Sequence, residues 1–387
     1  MFYNIDMDPL ERLKLLSQHM EIEADNPTDC RAAIFGKNQA DIPITEAVMP
    51  NGQKIKLLKT MQTSACERNC YYCPFRAGRD LRRATFKPDD LAATFLRLYQ
   101  AKVVEGIFLS SGIIGGGVKT QDKMLDTADI LRNKLHYKGY IHLKIMPGIE
   151  KDQLEQAMQL ASRISVNLEA PNSTHLHKLA PKKVFLEELL QPLIWAEQIR
   201  SQKSPHRSWN RRWPSSATQF VVGAVGESDL ELVAVSEKLF SQHKLKRIFY
   251  STFNPLRNTP LEHHPAENPL RSHRLYQSSY LIRDYGFSLE DMPFSPQGFL
   301  PLEKDPKLAW AEQHLSWQPV EVNLADQHEL IRIPGIGLKS AQTIIQARRS
   351  GKIKDISQLK RIGINSKKAA AFILLDGRQP AWQAQLF

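Results

Sequence analysis

The chain has 387 residues, 42% of them hydrophobic and 24% charged, a globular composition long enough for two or three domains. No run approaches the ~20 apolar residues of a membrane span, and the acid-bearing start "MFYNIDMDPLERLKLL" lacks the basic-then-apolar order of a secretory leader. Four cysteines, three of them clustered, exclude a disulfide scaffold and favour the cytoplasm, while a net charge of +11 favours a polyanionic partner such as nucleic acid.

Residues 1–50 read as an N-terminal extension whose lone Cys30 is a small residue without evident chemistry. From 51 to 290 β-rich runs alternate with amphipathic helical stretches. The runs are "KIKLLKTMQ" from Lys54, "GIFLSS" from Gly106, "YIHLKIM" from Tyr140, "RISVNLE" from Arg163, "TQFVVGAV" from Thr218 and "KRIFYSTF" from Lys246. Strand alternating with helix predicts βα units and a parallel sheet, here an α/β fold of barrel-like or open form, with chemistry at the C-terminal strand ends. One basic insertion, "RSQKSPHRSWNRRWPSS" from Arg200, carries Trp209 and Trp213. It reads either as a solvated, mobile loop or as a surface where bases stack and phosphates meet arginine.

The Pro-rich segment 291–319 reads as a linker, and 320–387 as a separate helical domain. That last segment holds 11 Lys and Arg against 5 Asp and Glu, so 11 − 5 = +6 of the chain's +11 lies there. Within it, "IPGIGLK" sets Gly335, Ile336 and Gly337 between two helices, with Lys339 just beyond. Backbone N–H groups at such a hairpin suit phosphate. A weaker copy, "RIGINSKK", places Gly363, Lys367 and Lys368 similarly, with Asn365 where the second glycine would stand.

The chemistry-bearing stretch is "CERNCYYC", where Cys66, Cys70 and Cys73 follow the first β-run directly. Three thiolates in one loop can ligate zinc or an iron–sulfur cluster. Zinc would need a fourth ligand, from a distant histidine or Cys30. A [4Fe–4S] cluster on three cysteines keeps one iron open. The fourth run puts Asn167 and Glu169 on one face of a strand. His142 and Lys144 on the third run point inward, as substrate contacts or as barrel lining.

The spacing C-x3-C-x2-C after the first strand of a six-unit βα domain resembles the radical S-adenosylmethionine (radical SAM) superfamily, over about residues 50–290. The resemblance implies a partial (β/α)6 TIM-like barrel, a [4Fe–4S] cluster on Cys66, Cys70 and Cys73, and SAM chelated at the fourth iron. It implies adenine contact at Tyr72, and SAM contacts at Ser110, Ser111, Gly112, Asn167, Glu169 and the backbone of Gly223, with Gly226 a weaker candidate. The segment "SSG" departs from the superfamily's usual Gly-Gly-Glu stretch in having no glutamate. The tail, about 320–378, resembles tandem helix-hairpin-helix domains that hold the DNA backbone without reading sequence. The combination resembles a bacterial family of radical SAM proteins assigned to DNA modification or repair by architecture. What this implies is SAM cleavage to a 5′-deoxyadenosyl radical, DNA as partner, and an electron donor such as flavodoxin or ferredoxin. The alternatives are RNA or a small metabolite as substrate, or a non-enzymatic DNA-binding redox sensor. The catalytic acid or base is not assignable from sequence.

Overall fold

The computed structural model describes residues 7–17, 20, 44–48 and 52–381. Cys30 and most of the expected N-terminal extension lie outside them. The chain divides into two compact units, Met1–Glu227 with Lys238–Ser272, and Ser228–Glu237 with His273–Phe387.

The first unit is built on one open sheet. Six strands, β2 (Lys54–Met61), β3 (Gly106–Ser110), β4 (Tyr140–Lys144), β5 (Arg163–Glu169), β6 (Ser215–Val222) and β7 (Arg247–Thr252), match the six β-rich runs. They lie in chain order, each parallel to the next. A short strand, β1 (Ile44–Val48), pairs antiparallel with β2 inside the segment expected to be an extension. β1 and β7 are the sheet edges, so the barrel is partial.

One helix, α1 (Pro9–Ser17), precedes the sheet, and helices return the chain after each of β2 to β7. α2 (Pro88–Gln100) opens with Pro88 at its first position and Asp89 and Asp90 in its first turn, which complement the N-terminal dipole. α3 (Gly117–Asp129) runs into a π-helical turn, Ile130–Lys134. α4 (Lys151–Leu160) starts with a capping box between Glu150 and Gln153. α5 (Ser173–Leu179) is capped by the Asn172 side chain, which accepts from the His175 N–H at 3.0 Å. A second π-helical turn, Phe185–Leu190, leads into α6 (Gln191–Gln202). β3 is buried along its whole length, and β5 and β6 along all but their first residue. That is the pattern of strands covered on both faces. Phe86, Phe95 and Phe220 are among the largest fully buried side chains, each contributing about 1.5–3 kcal/mol over an exposed position.

The basic segment after Arg200 is neither a free loop nor an open stacking surface. Trp209 Nε1 donates to the Ala161 carbonyl at 3.1 Å, and the Arg132 guanidinium lies 3.7 Å from the centre of its ring system. Trp213 Nε1 donates to the Lys203 carbonyl at 3.1 Å. Lys203 and Arg207 both pair with Glu155. The tryptophans are thus anchors at the N-terminal end of β5 and β6, away from the strand ends that carry the cysteine loop.

Two helices, α7 (Asp229–His243) and α8 (Pro269–Tyr285), contribute residues to both units. The second unit continues with α9 (Pro306–His314), which lies inside the expected linker 291–319. Trp310 of α9 is buried, with its ring edge-on to Phe287 at 5.2 Å. Arg332 lies over both rings and pairs with Asp291 at 3.1 Å. α10 (Gln327–Arg332), α11 (Leu338–Ala347), α12 (Ile356–Arg361) and α13 (Ser366–Ala369) follow. A two-stranded parallel pair, β8 (Val320–Glu321) with β9 (Ile373–Leu374), clips the ends of this helical array together. Among the described residues no helix is long and apolar enough to cross a membrane.

Candidate active site and nucleic-acid interface

The chain leaves β2 and is stitched to the end of β3. The Gln62 N–H donates to the Ser110 carbonyl at 2.8 Å and the Gly112 N–H to the Thr63 carbonyl at 2.7 Å. Gly112 allows this approach: a Cβ there would lie 2.2 Å from the Ala65 carbonyl oxygen, well inside contact distance. The next residue, Ile113, donates its N–H to Cys66 Sγ at 3.4 Å. The cysteine loop is then braced from several sides. The Tyr71 N–H donates to the Leu179 carbonyl at 2.8 Å. Arg68 pairs with Glu188 of the second π-helical turn at 2.7 Å and also donates to the Lys182 carbonyl. Arg83 donates to four carbonyls, those of Ser64, Phe75, Arg76 and Arg79.

Cys66, Cys70 and Cys73, all free thiols, line one cavity at the C-terminal ends of the strands. Tyr72, Ser110, Ser111 and Gly112 line it from the same side as the cysteines, and Asn167 and Glu169 from β5. The register slips between Asn167 and Glu169, and Glu169 takes φ +67°. A bulge of this kind re-aims a side chain. Lys144, at the end of β4, also lines the cavity.

Two further cations shape the site without any sequence signal. Lys183 reaches in from the turn after α5 and binds Glu169 Oε1 at 2.8 Å, the carboxylate buried and the lysine side chain nearly so. Glu169 Oε2 is buried and has no partner in hydrogen-bond geometry among the described residues, although the Tyr72 hydroxyl lies near enough to act on the carboxylate. Burial pushes the Glu169 carboxyl up, but Lys183 and then Lys144 outweigh it and hold it below its usual range. Burial pushes Lys183 down, and Cys70 and Glu169 more than reverse this, so it stays an ammonium. Burial raises the Cys70 thiol, partly offset by Lys183, and raises Cys73, where the other thiols add to it. Nothing in the sequence separates Lys183 from its neighbour Lys182. Arg68 likewise gains its meaning only from the π-helical turn that brings Glu188 to it.

Two expected groups stand apart. Gly223 is not in the cavity lining; its N–H donates to Glu227, and the Glu267 side chain occupies the space beside it. His142 lies below the cavity, 2.9 Å from Ser165 Oγ and edge-on to Phe108 at 4.5 Å. Burial, reinforced by Arg163, holds its pKa well below the usual value, so it is a neutral lining residue.

The residues present fit a [4Fe–4S] cluster and SAM. Three thiols line one cavity, with an N–H donor on one sulfur, and among the described residues no three side chains are grouped to hold a single metal ion; separate cysteines each holding one iron are what a protein-held cluster uses. A buried carboxylate flanked by two lysines beside them suits the charged amino-acid end of a zwitterion.

In the second unit the two hairpins pack on one another. Gly335, at φ +83°, has no room for a side chain, since a Cβ would lie 2.6 Å from the Asn365 carbonyl oxygen. Gly337 caps α11. Ile336 is buried, its N–H bonded to the Ile333 carbonyl and its carbonyl accepting from Lys307 Nζ at 2.6 Å, so it offers a ligand nothing. The Gly363 N–H is likewise engaged, by the Lys360 carbonyl. Asn365 makes no side-chain cap on the four-residue α13. Lys339, Lys367 and Lys368 are exposed beside the hairpins.

The helix-hairpin-helix motif family matches residues 316–371. No curated protein matches the chain in sequence. Among solved structures, methylornithine synthase (PylB) is similar at 15% identity and TM-score 0.46, over 59% of this chain and 61% of that one. The FeFe-hydrogenase maturase HydG from Carboxydothermus hydrogenoformans is similar at 16% identity and TM-score 0.44, over 59% and 51%. The radical S-adenosylmethionine methyltransferase TsrM from Kitasatospora setae is similar at 11% identity and TM-score 0.41, over 53% and 38%. The matched part thus spans less than two thirds of each of these chains.

Proposed function

We propose that the chain is a radical SAM enzyme acting on nucleic acid, with DNA the favoured substrate. The observation that supports the first half is that Cys66, Cys70 and Cys73 line one cavity at the strand ends together with the Glu169–Lys183 pair. Cys66, Cys70 and Cys73 would hold the [4Fe–4S] cluster. Glu169, Lys183 and Lys144 would meet the amino and carboxylate groups of SAM, and Ser110, Ser111 and Gly112 would lie alongside. Tyr72 sits against an apolar cluster of Leu179, Val221, Ala224 and Phe253, a wall suited to the adenine. When bound, the pair would supply, with one electron from an external donor, reductive cleavage of SAM and so the means to take a hydrogen atom from a substrate. The chain's own task is to orient and to exclude water. Arg83 fixes the cysteine loop through four carbonyls, and the Arg68–Glu188 pair ties that loop to the π-helical turn.

The nucleic-acid half is supported by the helix-hairpin-helix match and by exposed Lys339, Lys367 and Lys368. Phosphate contact through lysine side chains gives sequence-independent binding. The test is anaerobic reconstitution followed by reductant, SAM and nucleic acid, with 5′-deoxyadenosine as readout. Duplex DNA is expected to raise the yield above the uncoupled background. Stimulation by structured RNA alone would move the substrate to RNA. If SAM does not perturb the EPR signal of the reduced cluster, a redox-sensing DNA-binding protein replaces the enzyme.

A further inference from the structure

We propose that Glu67 is a positioning residue: its carboxylate clamps the β3–α3 loop to the cysteine loop, keeps the Ile113 N–H on Cys66 Sγ, and thereby raises the reduction potential of a cluster held there. The inference rests on the reading of the chain as a radical SAM enzyme and names a control on that same site. Glu67 follows Cys66 directly. Its N–H donates to the Ile113 carbonyl at 2.8 Å. Its carboxylate accepts from the Gly115 N–H at 2.9 Å and from the Gly116 N–H at 3.1 Å, one on each oxygen. Ile113 therefore meets the cysteine loop through both of its backbone groups, since its own N–H donates to Cys66 Sγ at 3.4 Å. Among the described residues no other side chain of the cysteine loop bonds residues 113–116.

Gly115 and Gly116 take φ +71° and +93°, a backbone that glycine adopts freely. A Cβ on Gly116 would meet nothing within 4 Å, and one on Gly115 only the Lys119 chain at 3.5 Å. What the two glycines supply is thus backbone direction rather than space, and it turns two successive N–H groups onto one carboxylate. A carboxylate at the start of α3 also suits the helix dipole, but that use does not involve Cys66. The Ile113 contact does. Hydrogen bonds to the sulfurs help set a cluster's potential, and a donor's partial positive charge favours the state with the extra electron. The negative charge of Glu67 acts the other way, because it opposes an added electron. Clamp and charge therefore carry opposite signs, which makes them separable. The carboxylate is exposed, so water competes for the N–H groups and the clamp is worth about one modest hydrogen bond.

The experiment compares variants at constant charge. The full chain is reconstituted anaerobically, and the midpoint potential of its cluster is read by EPR-monitored redox titration without SAM. Glu67→Asp keeps the charge but falls one methylene short of the glycines. Glu67→Gln and Glu67→Ala remove the same charge, and of the two only Gln can still accept an N–H. At the parent's midpoint, Glu67→Asp is expected to show a ratio of reduced to oxidised cluster about threefold or more below the parent's. Glu67→Ala should lie below Glu67→Gln by a similar factor. If Glu67→Ala loses iron, the comparison of Glu67→Asp with the parent decides. Loss of iron from Glu67→Asp as well makes the clamp a condition for holding the cluster rather than a control on its potential, and overturns the proposal. Equal potentials in Glu67→Asp and the parent overturn it, including where the melting temperature falls, which would leave Glu67 a helix cap. Glu67→Gln and Glu67→Ala raised alike would mean that only charge acts, and overturn it too. Parent protein that binds no iron removes the radical SAM reading and this proposal with it, and iron analysis reports that failure separately. A parent cluster that SAM leaves unperturbed removes the enzyme reading alone, and the potentials still decide the role of Glu67.

Discussion

Glu169 holds a left-handed backbone at φ +67° on the bulge that ends β5. A non-glycine residue there costs on the order of 1–3 kcal/mol, and the surrounding contacts must over-determine it. The contact that does so is the buried ion pair with Lys183. Breaking one partner of such a pair leaves an uncompensated charge, at about 3–5 kcal/mol. Glu169→Gln is therefore expected to lower the melting temperature of the full chain sharply at neutral pH. Glu169→Gln with Lys183→Met should recover most of the loss, and a double variant less stable than the single one would contradict the pairing. The pH dependence has a definite sign. The folded carboxyl titrates below its unfolded value, so its stabilisation is complete above the unfolded value and fades as pH falls below about 4. The gap between parent and Glu169→Gln should accordingly narrow in acid. A gap that widens would mean that the carboxyl is protonated at neutral pH.

At the scale of elements, the sheet was legible because six apolar runs of strand length alternate with amphipathic helices. The basic segment after Arg200 was not legible, because its meaning lies in distant partners. Ala161, Arg132 and Glu155 hold its tryptophans and cations, and nothing local announces them. Trp209→Ala is expected to destabilise the first unit, through loss of the Nε1–Ala161 bond and of the contact with Arg132, by about 1–3 kcal/mol, while leaving duplex affinity unchanged. Weaker binding without a change in melting would restore the base-stacking reading. The hairpins show the same limit. Gly-x-Gly marked a turn, but only packing shows what each glycine is for. Gly335 faces the Asn365 carbonyl, whereas a Cβ on Gly363, also left-handed at φ +80°, meets nothing within 4 Å. Gly335→Ala adds a clash to the strain and should cost clearly more than Gly363→Ala, which carries strain of about 1–2 kcal/mol. Equal costs, read from chemical denaturation, would mean that the hairpins do not pack on each other in solution.

For the molecule as a whole, charge and chemistry sit in different places along the chain. The cysteines, Glu169 and Lys183 belong to the first unit, while Lys339, Lys367 and Lys368 belong to the second. The cysteine motif was readable because its spacing is local, and Glu169 because strand period puts it with Asn167. Lys183 was not, since only the turn after α5 delivers it. This division makes the two proposed activities separable. Cys70→Ala is expected to abolish SAM cleavage and leave duplex affinity within about twofold of the parent. Lys339→Ala with Lys367→Ala and Lys368→Ala should leave uncoupled SAM cleavage intact. The same variant should lower the slope of log affinity against log salt by about 0.9 for each phosphate that is no longer neutralised. The weakening should be uniform across duplex sequences, because backbone contacts carry no sequence information. If the triple lysine variant binds with the parent's salt slope, the hairpins do not hold the phosphates. If it binds some sequences normally and others poorly, they read bases. The DNA-stimulated share of 5′-deoxyadenosine formation then decides whether the second unit serves the first: it should fall with duplex occupancy and return when DNA concentration is raised to compensate.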